Sequence, residues 1–346
     1  MTTSVWEEST DCRGGTPIFN DRESTPPMPT QRKEKYLPDF IIGGAMKCGT
    51  SSMHAILSSR EDVFIPEGEV HFFTLGDPIQ SPETVKFDPE RTVFNLNDEK
   101  KVEWYRSFFE GADSDQLIGE DSTTYLSSRV APERIRELLP DVKLIFMLRN
   151  PVDRSLSHYR HLVMSGRATK TFEQTLVHDS SNLHLRSFYK PQLERYFRLF
   201  LRDQVKVVLF ERFVEETQTV IDEVCSYLGF SDSIDLKEVE THANASWYPR
   251  WPKTYFAINY LLKGKMDRYR HHWPGDPSEY HTSDISFKER LLRSLLIRLR
   301  RRLPKQDSYP SMDDSLQERL TRLYARKNRG IGNLVEANVG KYWPFD

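Results

Sequence analysis

The sequence predicts an α/β fold in which a doubly wound parallel sheet carries a P-loop-like strand–loop–helix unit. Short apolar runs indicate buried strands, and they lie at 40–42, 143–148 and 205–210. Each run precedes a segment with helical periodicity, and these segments lie at 50–59, 151–165 and 214–228. Strands that alternate with helices in this way are typical of a parallel sheet covered on both faces.

The composition is that of an ordinary globular protein of 346 residues, with 38% hydrophobic and 29% charged residues. Lys and Arg number 49 against 51 for Asp and Glu, which gives a net charge of −2 and argues against nucleic-acid binding. Cys12, Cys48 and Cys225 are too widely spaced for a metal motif or a disulfide framework. We therefore expect no metal site and a reducing, cytoplasmic location.

The first 36 residues differ in composition from the rest of the chain. They are rich in Thr, Ser, Pro, Glu and Gly and lack apolar periodicity, which predicts a flexible leader at 1–36. Residues 37–346 are then expected to form a single domain. The N-terminus lacks the pattern of a secretory signal, and no run approaches the roughly 18 apolar residues of a membrane span. A soluble protein is expected.

The loop after the first strand is a candidate anion site. Gly43 and Gly44 end the strand, and 47–51 reads Lys-Cys-Gly-Thr-Ser before the next helix. Backbone N–H groups and the positive end of the helix would meet there, Lys47 adds a charge, and the glycines allow close approach of a phosphate. In nucleoside triphosphatases the lysine directly follows the last glycine, whereas Lys47 precedes Gly49 by two residues. The loop predicts phosphate binding, with a plain structural turn as the alternative.

Glu69 and His71 follow the first helix, within a short apolar segment at 63–73. Because they alternate, both side chains would lie on one side of an extended segment. A carboxylate and an imidazole beside a phosphate loop are natural acid/base candidates. The alternative is a surface glutamate and a hydrogen-bonded histidine.

Arg149 and Ser157 follow the strand at 143–148, and Ser157 lies in the helix that begins at Pro151. Ligands of parallel sheets bind beyond the carboxyl ends of strands, so Arg149 is expected at the same edge as Lys47. Ser157 would lie about two helical turns further on. A second anion contact is predicted, unless Arg149 pairs with Asp153.

The remaining periodic segments predict helices at 102–109, 132–139, 188–201, 287–303 and 312–334, and a strand at 117–126. Segments 76–100 and 241–284 contain turn formers or lack a clear period. The aromatic residues of 102–109 are expected in the core rather than in a cofactor site.

The segment 287–303 combines leucines and arginines. The leucines predicted to face the core are Leu292, Leu295, Leu296, Leu299 and Leu303. Its many arginines lie mostly outside that stripe. Such a helix can contact an anionic membrane as a peripheral surface, but an ordinary solvated face over a core stripe is the expected arrangement.

Three features occur together: 47–51 after a strand, Arg149 with Ser157 after another, and Glu69-Val-His-Phe-Phe73 between them. Together they resemble the sulfotransferases that use 3′-phosphoadenosine 5′-phosphosulfate (PAPS), nearest the heparan sulfate branch and its bacterial relatives. The resemblance extends over residues 37–335, and it is strengthened by Trp104-Tyr105, Phe108-Phe109 and Ala131-Pro-Glu-Arg134. It implies the sulfotransferase fold and PAPS as the sulfuryl donor.

The resemblance also implies roles for individual residues. The residues that would hold the 5′-phosphate are Lys47, Cys48, Gly49, Thr50 and Ser51. The residues implied at the 3′-phosphate are Arg149 and Ser157, and Trp247 is implied near the adenine. A late loop that would close over the donor contains Lys305, Gln306, Asp307, Ser308 and Tyr309. Glu69 would be the general base, and His71 is the second acid/base candidate.

The acceptor implied by the family is a hydroxyl or, alternatively, an amine of a small molecule, a lipid or a glycan. Relatives in the heparan branch carry a lysine where this chain has Asp121, which disfavours a strongly anionic glycan. Two other functions stay open from the residues alone. The opening loop suggests a P-loop small-molecule kinase, and the basic helix suggests a non-catalytic nucleotide-binding or membrane-associated module.

Overall fold

A central parallel sheet organises the protein. The computed structural model of the chain describes residues 36–77, 80, 95–178, 183–236, 247–263 and 287–344. These residues belong to one compact unit, which begins at Tyr36. The strands of the five-stranded sheet are β1 (Phe40–Gly44), β2 (Val63–Phe64), β3 (Leu117–Asp121), β4 (Lys143–Leu148) and β5 (Val205–Leu209).

The sheet order is β2-β3-β1-β4-β5, and every neighbouring pair is parallel. This arrangement confirms the predicted α/β class. Phe40 pairs with Gly119 on one side and with Lys143 on the other, so β1 lies between β3 and β4. The segments that follow β1, β3 and β4 therefore leave the sheet at one edge, where ligands of parallel sheets bind. A short antiparallel pair, β6 (Tyr248–Pro249) and β7 (Lys305–Gln306), lies outside this sheet.

The helices follow the predicted alternation. They are α1 (Thr50–Leu57), α2 (Glu99–Ser107), α3 (Ala131–Leu138), α4 (Pro151–Met164), α5 (Phe172–His178), α6 (Tyr189–Leu199), α7 (Phe210–Glu215), α8 (Thr217–Leu228), α9 (Pro252–Lys263), α10 (Phe287–Arg302), α11 (Asp314–Lys327) and α12 (Ile331–Val335). In the described residues, no helix has the length and apolar character needed to cross a membrane.

Several predicted boundaries change in the structure. The helix predicted at 312–334 is divided, because Gly330 adopts a φ of 78° and interrupts it between α11 and α12. The segment 241–284 was expected to be irregular, but it contains β6 and α9 in its described part. Helix α5 was also not predicted. These short elements lack a long apolar period, so their tertiary contacts decide their conformation.

Among the described residues, two apolar clusters form the core. The first surrounds the sheet and includes Phe40, Phe146 and the aromatic residues Tyr105 and Phe109, which are fully buried as predicted. The second includes Tyr159 of α4, residues of α9 and α11, and Leu303. Helix α4 therefore starts at the sheet edge and continues into the second cluster.

The prediction for the leucine stripe of α10 is wrong in most of its members. Leu292, Leu295 and Leu299 are 52%, 52% and 50% exposed, while Leu303 is 7% exposed and Leu296 is partly buried. The helix contacts the core along a different, narrower face than its apolar period indicates.

Candidate active site

The loop between β1 and α1 is held in a compact turn. The Ala45 N–H donates to the Met147 carbonyl at 2.7 Å, which ties the loop to β4. Lys47 has a φ of 72° and Gly49 a φ of 92°. A Cβ on Gly49 would lie 2.8 Å from Phe210 Cδ2, so both its conformation and its surroundings require glycine. Helix α1 begins directly after this residue.

The other residues of the loop contribute in different ways. The Cys48 side chain is fully buried, with its Sγ 3.8 Å from the Tyr189 hydroxyl, and burial raises the pKa of this thiol to about 11. Thr50 is buried and Ser51 is exposed. Cys48 can therefore contact a ligand through its backbone but not through its side chain.

Packing requires the two glycines before the loop. A Cβ on Gly43 would lie 2.5 Å from the Phe146 ring. A Cβ on Gly44 would lie 2.7 Å from the Thr123 carbonyl. Their small size is explained by the neighbouring strand β4 and by the segment after β3.

Glu69 and His71 are in contact, but His71 has a φ of 57°, so the segment is not extended as their alternation assumed. Nε2 of His71 lies 3.1 Å from Oε2 of Glu69. The same oxygen accepts hydrogen bonds from the Thr123 backbone N–H at 3.0 Å and from the Thr123 hydroxyl at 2.7 Å. Nδ1 of His71 is 2.8 Å from the Thr124 hydroxyl. Burial, with the nearby charge of Arg186, lowers the pKa of His71 to about 4, so this imidazole is neutral at pH 7.

At the sheet edge, Lys47 lies within electrostatic range of Arg149 and of Glu69. Burial and the charge of Arg149 lower the pKa of Lys47, and the carboxylate of Glu69 acts in the opposite direction. Arg149 lies over the Phe210 ring at 4.7 Å, and it makes no ion pair with Asp153 within the described part of the chain. The structure therefore brings Lys47 of the first predicted anion contact together with Arg149 of the second and with the candidate base, Glu69.

The late loop forms a separate group with Trp247. The Lys305 Nζ lies 4.1 Å from the centre of the Trp247 ring, and the Tyr309 hydroxyl donates to the Trp247 carbonyl at 2.6 Å. Gln306 pairs with Tyr248 in the β6–β7 ladder. Asp307 and Ser308 are exposed.

Helix α4 connects this group to the sheet edge. Arg160 lies over the Tyr309 ring at 4.6 Å. Ser157 is half-buried and three residues before Arg160, so the two side chains are neighbours on the helix surface. The late loop therefore lies beside the part of α4 that carries Ser157.

Further basic groups surround this region, and sequence reasoning missed them. Burial and the charges of Arg167 and Lys47 lower the pKa of His161 to about 4. Arg186 is buried, and its Nη1 lies 3.5 Å from the Met46 Sδ. Neither arginine belongs to a local motif, so no sequence signal marks them.

Behind Glu69 lies a buried polar network centred on Glu120. Its Oε2 accepts from the Tyr105 hydroxyl at 2.5 Å, and its Oε1 accepts from the Ser122 hydroxyl at 2.7 Å and from the Tyr125 hydroxyl. Burial raises the pKa of Glu120 to about 7. The Ser122 hydroxyl also accepts from the His71 N–H at 2.9 Å. The network therefore positions the segment that carries His71, and its location at the end of β3 could have indicated it.

Asp121 lies beside this network and is 5% exposed. Its Oδ2 is 3.4 Å from Nδ1 of His54, and its Oδ1 is buried with no hydrogen-bond partner among the described residues. Burial raises the pKa of this carboxyl, and the nearby carboxylate of Glu69 acts in the same direction.

Arg154, in the first turn of α4, is a fully buried cation. It donates from Nε to the Ser187 hydroxyl at 2.6 Å and from Nη2 to the Leu183 carbonyl at 2.5 Å. Its Nη1 has no partner, and no carboxylate pairs with it in the described residues. After burial, Arg154 has the largest effect on the pKa of the Cys48 thiol, which places its charge behind the loop at 46–49.

The cationic loop, the adjacent carboxylate and the parallel sheet agree with a comparison of the whole sequence. Residues 38–233, more than half of the chain, match the sequence profile of the Sulfotransferase family. The chain belongs to the sulfotransferase family. This membership argues against the alternatives of a P-loop kinase and a non-catalytic module.

Individual relatives of the sulfotransferase are longer proteins. Human bifunctional heparan sulfate N-deacetylase/N-sulfotransferase 2 is 31% identical over 212 residues, which cover 56% of this chain and 22% of that protein. Human heparan sulfate glucosamine 3-O-sulfotransferase 3A1 is 27% identical over 250 residues, which cover 68% of this chain and 56% of that protein. The chain thus spans only part of the length of these curated relatives.

The comparison with a solved structure covers most of this chain. The crystal structure of a sulfotransferase from Alicyclobacillus acidocaldarius is 25% identical, with a TM-score of 0.58. The similar region covers 88% of this chain and 98% of that chain. The fold described above is therefore that of a sulfotransferase.

Proposed function

We propose that this sulfotransferase transfers a sulfuryl group from PAPS to a hydroxyl or, alternatively, an amine of a small-molecule, lipid or glycan acceptor. The observation that carries the proposal is the position of Glu69. Its carboxylate is held by Thr123 and His71 and lies within electrostatic range of Lys47 at the sheet edge. A base and a cation in one place suit a reaction in which a proton leaves the acceptor while negative charge grows on the leaving group.

The arrangement of basic residues suits a doubly phosphorylated nucleotide. In this proposal Lys47 and the start of α1 hold one phosphate, and Arg149 and Ser157 hold the other. The Nη1 of buried Arg154 has no hydrogen-bond partner among the described residues, which supports an anionic ligand nearby. A buried cation without a counter-charge lowers the free energy of unfolding, and an anion nearby reduces this cost. Trp247, Lys305 and Tyr309 would hold the nucleoside side, with Gln306, Asp307 and Ser308 completing the late loop.

The chemistry divides between the donor and the protein. When bound, PAPS supplies an electrophilic sulfuryl group with a phosphate leaving group. Glu69 accepts the proton of the acceptor hydroxyl, a role worth roughly 10²–10⁴-fold in rate. Lys47 stabilises the charge that develops on the leaving oxygen. His71, neutral at pH 7, orients the Glu69 carboxylate rather than serving as the primary base.

The acceptor and the location of the enzyme are further parts of the proposal. Asp121 places a second carboxyl group near Glu69, which supports an acceptor without a strong negative charge at that point. The relatives named above act on heparan sulfate by their names, and a less anionic hydroxyl compound is proposed here. The buried free thiols of Cys48 and Cys225 support a reducing, cytoplasmic location.

The test uses Glu69→Gln in the full chain, with Glu67→Gln as the matched control because Glu67 is exposed and only two residues away. Turnover is measured with labelled PAPS and a library of hydroxyl and amine acceptors. Binding of adenosine 3′,5′-bisphosphate is measured by its effect on the melting temperature. We expect Glu69→Gln to lose turnover by roughly 10²–10⁴-fold with bisphosphate binding retained, and Glu67→Gln to resemble the wild type.

Different failures of this test have different meanings. Unchanged turnover in Glu69→Gln would remove Glu69 from the role of base and direct attention to His71. A wild-type protein whose melting temperature does not change at saturating bisphosphate would contradict PAPS as the donor.

A further inference from the structure

Helix α10 presents an exposed apolar row. Leu291, Leu295 and Leu299 are four residues apart and therefore follow one another along the helix, with Leu292 beside them. They are 50% to 53% exposed. Soluble proteins rarely leave several large leucines in one row in contact with water, so the row indicates a binding face.

A row of arginines runs next to these leucines. Arg298 and Arg302 are exposed, four residues apart, and each lies three residues after a leucine of the row. In sequence the helix carries Lys288, Arg290, Arg293, Arg298, Arg300, Arg301 and Arg302 against the single acid Glu289. This concentration of positive charge stands out in a chain whose net charge is −2.

The helix is anchored through another face, so its exposed row does not result from a detached helix. The Arg300 Nη1 donates to the Asn259 side-chain oxygen of α9 at 3.2 Å. Leu303 is 7% exposed, and Leu296 and Ile297 pack against the second apolar cluster. The leucine row therefore stays outside while the helix is bound to the protein.

An exposed tryptophan lies near the end of α10. The Arg250 N–H donates to the Pro304 carbonyl at 2.9 Å, which brings the neighbouring Trp251 close to the C-terminal end of the helix. Trp251 is 57% exposed. Tryptophan is enriched at the boundary between lipid headgroups and acyl chains, because its ring is amphipathic.

We propose that this face of α10 binds the surface of a lipid bilayer that contains anionic lipids. The leucine row enters the boundary of the acyl chains, and the flanking arginines contact the lipid phosphates. A second copy of the chain fits less well, because two such faces would bring rows of arginines together. A nucleic acid would use the arginines but leave the leucines in water. The proposal does not depend on the sulfotransferase activity.

The experiment measures sedimentation of the full chain with vesicles. One set contains phosphatidylcholine alone, and the other contains phosphatidylcholine with phosphatidylglycerol. We expect binding to the anionic vesicles that weakens as salt is raised, and little binding to the neutral ones.

Two double variants separate the apolar and the charged contributions. Leu295→Ser with Leu299→Ser removes part of the row, and Arg298→Glu with Arg302→Glu reverses the adjacent charges. Each should reduce the vesicle partition coefficient by roughly tenfold or more. Arg322→Glu with Arg326→Glu on α11 is the matched control, since these exposed arginines have the same spacing and the change in net charge is equal. We expect this control to bind nearly as well as the wild type.

Three outcomes would overturn the proposal. The first is no binding of the wild type to anionic vesicles at low salt. The second is an equal loss of binding in the α10 and α11 charge variants, which would show a net-charge effect only. The third is a doubled mass in light scattering that the leucine variant abolishes, which would assign the row to a second copy. Because the altered side chains are exposed, melting temperatures close to that of the wild type serve as the folding control.

Discussion

The sheet edge and the late loop hold their basic groups in different ways. At the sheet edge, Lys47 lies in a buried turn, and Glu69 is held by several hydrogen bonds. In the late loop, Lys305 is exposed and contacts the face of Trp247. Preorganised, partly dehydrated charges have the largest effect on a transition state, whereas exposed cation–π contacts add modest affinity. The comparison suggests that the sheet edge performs chemistry and the late loop holds the donor.

Among the variants that test this comparison, Lys47→Met has the largest expected effect. Losing this cation removes stabilisation of the leaving oxygen, so we expect kcat to fall by on the order of 10²–10³-fold. Steady-state kinetics with varied PAPS measures it, and Lys190→Met, at a lysine that pairs with Glu194 on α6, is the control. A variant with normal kcat and only a raised KM would make Lys47 a binding group like Lys305.

Arg154→Met tests whether the buried charge behind the loop belongs to the sheet-edge site. Arg154 donates to the Ser187 hydroxyl and to the Leu183 carbonyl, so its replacement leaves buried acceptors without a donor, and the melting temperature without ligand should fall. Binding of adenosine 3′,5′-bisphosphate should weaken by roughly tenfold, because one nearby positive charge is lost. Calorimetric titration measures this change.

Two further variants show whether the effect of Arg154→Met comes from the lost charge. Arg154→Lys keeps the charge and should retain most of the affinity for the bisphosphate. Arg195→Met, at a half-buried arginine of α6 that donates to backbone carbonyls, should leave that affinity unchanged. A lower melting temperature with normal bisphosphate binding would instead indicate a purely structural role for Arg154.

The pH dependence of the stability of Glu120→Gln tests the network behind the sheet edge. Burial raises the pKa of Glu120 to about 7 from the ordinary 4.5, so the folded protein holds a proton that the unfolded chain releases. Below pH 4.5 the carboxyl is protonated in both states, and the free energy of unfolding has its full value. As the pH rises from 4.5 to about 7, the free energy of unfolding falls by about 3 kcal/mol. The variant should lack this decline.

Melting temperatures of both proteins across this pH range measure the effect of Glu120. The curve of the wild type should fall relative to that of Glu120→Gln as the pH rises. Parallel curves would show that the carboxyl does not titrate within the network. Glu67→Gln, at an exposed position, should run parallel to the wild type.

The smallest expected effect is that of Lys305→Met. The contact of Lys305 with Trp247 is exposed and of the kind worth roughly 0.5–1 kcal/mol, so KM for PAPS should rise only a few-fold with kcat nearly unchanged. A loss of kcat as large as that of Lys47→Met would end the distinction between the two regions.

The sequence predicted the fold class and the position of the first loop better than it predicted the tertiary contacts around them. Apolar runs and glycines act locally, so four of the five strands of the sheet (β1, β3, β4 and β5) and the start of α1 were predicted close to their places. The contact between Glu69 and His71 was expected, but the left-handed backbone of His71 was not, because alternation assumes an extended segment. The exposed leucines of α10 were predicted wrongly, because a helical period shows that a stripe exists and not what covers it.

The amino-acid sequence by itself determined the alternation of strands and helices and the position of the glycine-containing loop before α1, because these depend on neighbouring residues. Only the tertiary structure decided that Arg149 acts on Lys47, that Thr123 holds Glu69 and that Arg186 lies near His71. These pairs are far apart in the chain. Their contacts follow from strand order and side-chain packing, which no local pattern specifies.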